Sequence, residues 1–571
     1  MSIKNNYKNL SFYSLSLLAL LPVIPVFFLK HQKPIPSFDN EWAAIMLGLI
    51  AGALVLPVIW RQSHLLIPRI ALLPLLLMLF IALQTQLLDE VNKQHAQLAM
   101  LYLLWSTSLI ILIKLLIQQS SLRQVSLWVA SGLVCAAACS TFIEIITRLN
   151  NLPTVWGGTA QANNYGDLLM LGFASLLYLL TINRFKKLFL LVSLGIFILL
   201  GLSLTPSRSV WIYWIAMLVI AGYLNRALVG WIVVALGLYI LFQFLWTTDF
   251  FSILNARTNA VDRLYKNLSG ASIRIHTWKI AWQLFISSPW LGQGFGQFDW
   301  GYFQTGEHLP NVSVTMEHAH NLIFHLLAEL GLLPVLMFLG LTSLWLKNIF
   351  YSIKEQSKAN DLSSLAFYCW LLMLISIMGI HSLLEYPLWY AQFLAIASIV
   401  LSLGEVKSWR MKFSPAWTMC CALLISISLG MVTLHRWHYK KLEDNIHAGQ
   451  TKQLFINARQ AAIEAPLLSP YISIIFSLYG HLSDKEMRAD FNVLNNVGFH
   501  FSPYPVLAYN QAGLDVLNNL NEQGRETMRL ALAAYPTHVQ FFIDSELNRL
   551  TLEDQNKTAF LREMAIKKLV P

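Results

Sequence analysis

The residues best suited to chemistry fall in a few polar clusters that interrupt an otherwise apolar chain of 571 residues. The segment EHAHNLIFHLLAELG (317–331) carries His320 and Asn321 at the head of an apolar run. Imidazole is the side chain best poised to take a proton near neutral pH, and a positioned base contributes typically about 10²- to 10⁴-fold. A structural interfacial histidine is the plainer alternative. Glu317, His318 and His320 could also ligate a metal, but three ligands so close together on one short strand rarely close a site.

In TPSRSVW (205–211), Pro206 breaks one apolar run and Arg208 starts the next. A guanidinium at a helix N-terminus, beside unpaired backbone amides and the positive end of the dipole, makes an anion site. An interfacial arginine that snorkels toward headgroups is the competing reading. The segment SIRIHTWKIAWQLFISSPWLGQGFGQF (272–298) reads as an amphipathic helix and a Pro/Gly turn. Ile273, Thr277, Ile280, Ala281, Leu284 and Phe285 form one face, with Arg274, Trp278 and Trp282 beside it. Such a helix is expected to lie on the bilayer surface with Arg274 near the phosphate level. GQGFG follows no strand and lacks the Lys and Ser/Thr of a phosphate loop, so it reads as a tight turn.

Two further clusters are rich in hydrogen-bonding groups. GGTAQANNYGD (157–167) offers Gln161, Asn163 and Asn164, whose amides suit sugar hydroxyls or phosphate oxygens; an ordinary turn and helix cap is the alternative. HSLLEYPLWYAQF (381–393) places His381 and Glu385 as an i,i+4 pair on one helix face. Ionisable groups inside a membrane are functional candidates, although a helix-bridging hydrogen bond would also explain the pair.

The elements that must position these residues follow from composition. The chain is 56% hydrophobic and only 12% charged, whereas a soluble domain carries about 25% charged residues. That excludes water-soluble enzyme folds and nucleic-acid modules and implies a polytopic membrane protein. The net charge of +10 marks cytoplasmic loops rather than a polyanion partner. Cys135, Cys139, Cys369, Cys420 and Cys421 all sit in apolar runs without metal or redox spacing.

Runs of roughly 20 apolar residues, long enough to span a bilayer, number about thirteen. They begin near Ser11, Trp42, Arg69, Gln97, Ser126, Gly166, Leu188, Ser209, Ala227, Asn321, Ala366, Leu388 and Pro415. With the N-terminus inside, Arg61, Lys114, Arg123, Arg226, Lys347, Lys407, Arg410 and Lys412 are among the many basic residues on the cytoplasmic side. Only Lys30, Lys33, Lys93, Arg148 and Arg208 fall in short external loops, a positive-inside bias. The polar clusters then share the external face. The expected fold is all-α, with N-terminal spans in 1–246, a large external loop in 247–320, further spans in 321–438, and a soluble helical tail in 439–571. Within that tail, FINARQAAIEAP and RETMRLALAAYP have the Ala-rich, Pro-terminated look of a tetratricopeptide helix. A stacked-helix platform of that kind suits protein docking.

On these residues the chain resembles the O-antigen ligase superfamily of bacterial membrane glycosyltransferases, and within it the PglL-type protein O-oligosaccharyltransferases. His320, Asn321 and Gly331 match the superfamily's H-N-x9-G motif, with Pro334 where a Gly, Thr or Tyr is usual. Arg208 resembles the arginine after the family's helix break, and Arg274 with PWLGQGFGQF resembles its loop motif. Gln161 and Asn163 look like the Gly-x-x-Gln-x-Asn element of the protein-modifying branch, and HSLLEYPLWYAQF, PIPSFDNEW (34–42) and the helical tail are also similar to that branch.

The resemblance implies a GT-C-like inner-membrane enzyme with a periplasmic active face. It would move an oligosaccharide en bloc from undecaprenyl diphosphate to Ser or Thr of an exported, pilin-like protein, with inversion. His320 would orient or deprotonate the acceptor, Arg208 and Arg274 would stabilise the diphosphate, and Gln161, Asn163, Asn321, His381 and Glu385 would position substrate. No cofactor or metal is expected, since the external loops lack DxD; Asp39, Glu41, Asp89 and Glu90 are read as solvated interface acids. Membrane lipids are expected partners and nucleic acid is not. An O-antigen ligase or polymerase acting on a lipid-linked acceptor is the alternative within the superfamily. A lipid-linked-sugar transporter or a noncatalytic docking factor would come from another class.

Overall fold

The computed structural model describes all residues except 1, 32–34, 63, 89–91, 183–187, 247–268, 308–315, 448–456, 458–459 and 570–571. Pro34, Asp89, Glu90 and the first part of the expected external loop therefore lie outside the described residues.

The chain is an all-α polytopic membrane protein. Its helices are α1 (Ser2–Leu20), α2 (Phe38–Trp60), α3 (Leu72–Leu87), α4 (Lys93–Gln119), α5 (Leu122–Leu149), α6 (Ala162–Ile182), α7 (Leu188–Ser203), α8 (Ser209–Leu224), α9 (Ala227–Leu245), α10 (Ser269–Ser287), α11 (Phe298–Thr305) and α12 (Leu322–Leu330). They continue with α13 (Leu332–Lys358), α14 (Leu362–Leu384), α15 (Ala391–Gly404), α16 (Pro415–His447), α17 (Ser469–Ser477), α18 (Arg488–Phe501), α19 (Pro505–Leu517) and α20 (Asn521–Ala534). Three short helices follow, α21 (Val539–Ser545), α22 (Leu552–Lys557) and α23 (Ala559–Leu569). Among the described residues, nine helices are long and apolar enough to cross a bilayer; α1, α7, α8 and α15 are apolar but offer shorter runs.

Each apolar run expected from sequence coincides with a helix, with one difference. The run from Asn321 is not continuous, because Gly331 divides it into α12 and α13. Gly331 has φ +80° and ψ −170°, a conformation open to glycine and strained for other residues.

The contacts divide into two units. The first comprises Met1–Leu77, Tyr102–Ser269 and Leu336–Thr433. Its centre is α6, buried over 83% of its apolar stretch, while α9, at 28%, presents most of its surface outward. A helix that is apolar all round and still exposed needs lipid rather than water beside it. Sparse polar groups cross-link the helices: Ser106 and Ser398 hydroxyls meet at 2.7 Å, and Ser402 donates to the Ile110 carbonyl at 2.8 Å. Hydrogen bonds of this kind supply specificity where apolar burial gives none. Two short strands, β1 (His64–Pro68) and β2 (Ser408–Lys412), pair antiparallel with His64 opposite Lys412.

The second unit comprises Met78–Leu101, Gly270–Val335 and Leu434–Pro571. Here α10 turns Thr277, Ile280, Ala281 and Leu284 into a core shared with Phe298, Tyr302, Met316, Ala319 and Ala328. This corrects the expectation that the same face lies on the bilayer. The small side chains of Thr277 and Ala281 let neighbouring segments close over it. The apolar residues left exposed on α10 include Ile275, Trp282 and Ile286. In the tail, α17 packs on α18, α18 on α19, and α19 on α20. Gly524 lets α20 approach α19 closely, since a Cβ there would lie 2.5 Å from Val516 and 2.9 Å from the Ala512 carbonyl.

Candidate functional site

In the first unit, the break at Pro206 brings three elements together. α7 ends at Ser203 and α8 begins after Arg208, which is its N-cap residue. The intervening turn is tied to the start of α6 by Thr205, whose hydroxyl donates to the Ala162 carbonyl at 2.8 Å. Arg208 thus sits at a helix N-terminus, as its sequence setting suggests.

Beside that turn lies a buried polar network. Tyr213 and His381 Nδ1 are 2.9 Å apart, and His381 Nε2 is 3.2 Å from Asn164 Oδ1. The Asn164 oxygen only accepts, so Nε2 carries the proton and Nδ1 accepts from the Tyr213 hydroxyl. Asp167, fully buried, stands 4.0 Å from His381 Nδ1. Asn163 Nδ2 donates to Glu385 Oε1 at 2.8 Å. Gln161 is half-buried immediately before α6.

His381 and Glu385 do not share a helix face, contrary to their i,i+4 spacing. α14 stops at Leu384, and Glu385 is extended with φ −150° and ψ −162°. Pro387 is the cause: the residue before proline is pushed out of the helical region, and helices end at or before it. The two side chains therefore engage different residues of α6.

The sequence reading missed the support beneath this turn. Glu144 and Arg148 form a buried ion pair at 2.8 Å. Glu144 Oε2 also accepts from Gly157 N at 2.9 Å, and Arg148 reaches the Leu204 carbonyl at 3.4 Å. An i,i+4 acid–base pair inside an apolar run was the available signal. Asp39 and Glu41 are likewise not solvated. Both are buried, and Glu41 Oε2 accepts from Ala391 N at 2.6 Å and from Tyr102 at 3.2 Å.

In the second unit, His320 occupies a strained backbone position, with φ +50°. Asn321 is the N-cap of α12; its Oδ1 accepts from Ile323 N at 3.1 Å and Phe324 N at 3.2 Å. That capping geometry satisfies amides the helix leaves open. The glycine turn after α10 packs against the other end of the helix. Gly292, Gly294 and Gly296 all have positive φ, and Gln293 N and Gly294 N donate to the Ala328 and Glu329 carbonyls at 2.9 and 3.0 Å. GQGFG is thus a turn, as expected. Arg274 lies on α10 one turn before Trp278, whose ring stacks on Phe324 with centroids 5.7 Å apart. Arg274 and His320 are therefore both carried by elements that meet at the first turn of α12.

Around His320 lie Glu317 and His318, weighed above as metal ligands, and His325, which the sequence pattern did not single out. His318 and His325 rings are 5.1 Å apart, edge to face. Burial, with the neighbouring histidines adding to it, holds His318 well below the usual imidazole range, so it is neutral. Among the described residues, no group of His, Cys, Asp or Glu is set to hold a metal ion, the 317–320 segment included. Glu317 Oε1 accepts from Tyr504 at 3.3 Å.

The fold and these two polar clusters define a multi-pass membrane protein with its ionisable groups gathered at helix breaks. A family model described as O-antigen ligase matches residues 193–339, and one described as virulence factor membrane-bound polymerase, C-terminal, matches 369–546. The first match contains Arg208, Arg274 and His320; the second contains His381 and Glu385. A General O-oligosaccharyltransferase of Acinetobacter baylyi is 23% identical over 399 residues, covering 66% of this chain and 67% of the relative. Parts of the chain are thus similar to the O-antigen ligase family and to a membrane-bound polymerase family, and about two thirds of it to an oligosaccharyltransferase.

Proposed function

We propose that the protein is a glycosyltransferase that moves an oligosaccharide en bloc from undecaprenyl diphosphate to Ser or Thr of an exported, pilin-like protein. The observation that carries this reading is His320, held in a strained conformation at the cap of α12 beside the helix that carries Arg274. The similarity to a General O-oligosaccharyltransferase supports the acceptor class.

In this mechanism His320 orients or deprotonates the acceptor hydroxyl, which attacks the anomeric carbon with inversion. The bond to the diphosphate breaks, and Arg208 and Arg274 stabilise the charge on the departing phosphates. Their planar forks suit phosphoryl oxygens. Gln161, Asn163, Asn321, His381 and Glu385 position sugar and diphosphate. All thirteen apolar helices cross the bacterial inner membrane, with the active face and a tetratricopeptide-like tail in the periplasm. The basic residues near β1 and β2, Lys407, Arg410 and Lys412, support a cytoplasmic position for that end.

The test is His320→Ala, co-expressed with a glycan locus and a pilin acceptor, reading the intact mass of the pilin. Unmodified pilin with normal membrane insertion is expected; full modification would overturn the role of His320. The match to a membrane-bound polymerase model favours a second reading, in which the acceptor is itself a lipid-linked glycan. Elongated lipid-linked product with unmodified pilin would select it.

A further inference from the structure

His320 is a one-residue bridge between two anchors on the same helix. Downstream, Asn321 caps α12 through its side chain, and its carbonyl accepts from His325 N at 2.9 Å. Upstream, Ala319 N donates to the ring nitrogen Nδ1 of that same His325 at 3.4 Å. A left-handed conformation costs a non-glycine residue roughly 1–2 kcal/mol and persists only where its surroundings over-determine it. Both flanks of His320 are determined by the first turn of α12.

The ring that holds the upstream flank is itself held. Because Nδ1 accepts from Ala319, the ring proton of His325 resides on Nε2, which lies 3.3 Å from Glu329 Oε2. The other Glu329 oxygen accepts from Phe298 N at 3.1 Å. The His325 and Glu329 side chains are 3% and 2% exposed, so the two groups face each other away from bulk solvent. A carboxylate that fixes the tautomer and orientation of an imidazole is a recurring device at metal and catalytic sites. Here the imidazole delivers its free lone pair to a backbone amide rather than to a substrate.

We propose that His325 and Glu329 are positioning residues for His320: Glu329 fixes the tautomer of His325, and His325 Nδ1 fixes the Ala319 amide and thereby the conformation of His320. The proposal rests on the role given to His320 above. It predicts a dependence on which atom of residue 325 can accept a hydrogen bond. An asparagine places its amide at the position of Nδ1, whereas a glutamine places its amide near Nε2.

The experiment compares His325→Asn, His325→Gln and His325→Leu in the full-length, detergent-purified protein. Transfer is measured from a synthetic undecaprenyl-diphosphate oligosaccharide to the pilin. His325→Leu and His325→Gln are expected to lose about tenfold or more in kcat with KM for the donor nearly unchanged, the signature of an interaction that matters only in the transition state. His325→Asn should recover most of that loss. Equal rates for the Asn and Gln variants, wild-type kcat for Leu, or a loss confined to KM would each overturn the proposal. If the Leu variant does not fold, the Asn and Gln pair decides alone. His320→Ala is assayed in parallel. Activity there would remove the reading on which the proposal rests, whereas an inactive His320→Ala with fully active His325 variants would remove the proposal only.

Discussion

Asn163 and Glu385, 222 positions apart in sequence, are joined by a 2.8 Å hydrogen bond that links the start of α6 to the residue ending α14. Neighbouring His381 is joined to Asn164 on the same helix start. Two adjacent asparagines thus hold two ionisable groups that the end of α14 has sent in different directions.

A double-mutant cycle of Asn163→Ala and Glu385→Ala should show this coupling. Residues in direct contact typically show an interaction energy of about 0.5–3 kcal/mol. Measured on transfer rates of the purified protein, strictly additive losses would mean that the bond has no part in the active arrangement.

Arg208→Lys keeps the charge at the start of α8 and removes the planar fork. Loss of one charge-stabilising donor typically costs about 10²- to 10³-fold in turnover, and Arg208→Ala is expected in that range. The lysine variant should fall between alanine and wild type. A lysine variant equal to wild type would reduce the role of Arg208 to charge alone.

Gly331→Ala should be strongly destabilising, because a Cβ there would lie 2.7 Å from the Trp290 carbonyl at φ +80°. Gly340→Ala is the control: no neighbouring atom lies within 4 Å of its Cβ, and it is within helix α13. Alanine in a helix interior is favoured over glycine by roughly 0.5–1 kcal/mol. Thermal unfolding in detergent should fall for the first and hold or rise for the second.

Burial pushes the Asp299 carboxyl up to about 7, against hydrogen bonds from Ser502 and Met316 that pull it down and the nearby Glu317 charge, which adds to the rise. The folded state therefore binds a proton that the unfolded chain, near 3.8, releases earlier. The stabilising contribution is complete below the unfolded value and is lost as pH rises toward 7, at no more than about 1.4 kcal/mol per pH unit. Asp299→Asn should flatten that dependence, raising the melting temperature at pH 8 relative to wild type and leaving pH 4 little changed. Parallel melting-versus-pH curves for the two proteins would contradict it.

The positions of the membrane helices were legible in the sequence, because hydropathy is a local property and lipid imposes it on every span. The break before Arg208 and the glycine turn were legible for the same reason, since proline and glycine act on their own backbone; the capping role of Asn321 was not. Tertiary structure decided what could not be local. His381 and Glu385 part company because Pro387 ends α14 between them and the next helix. Asp39 and Glu41 are buried because Ala391 N and Tyr102 come to Glu41 from distant parts of the chain. The apolar face of α10 went into protein rather than lipid, a choice between two apolar surroundings that periodicity alone does not distinguish. The strained His320 is set in the same way: sequence supplies the imidazole, and the bond from Ala319 to His325 and the close approach of His325 to Glu329 exist only once α12 has folded against its neighbours.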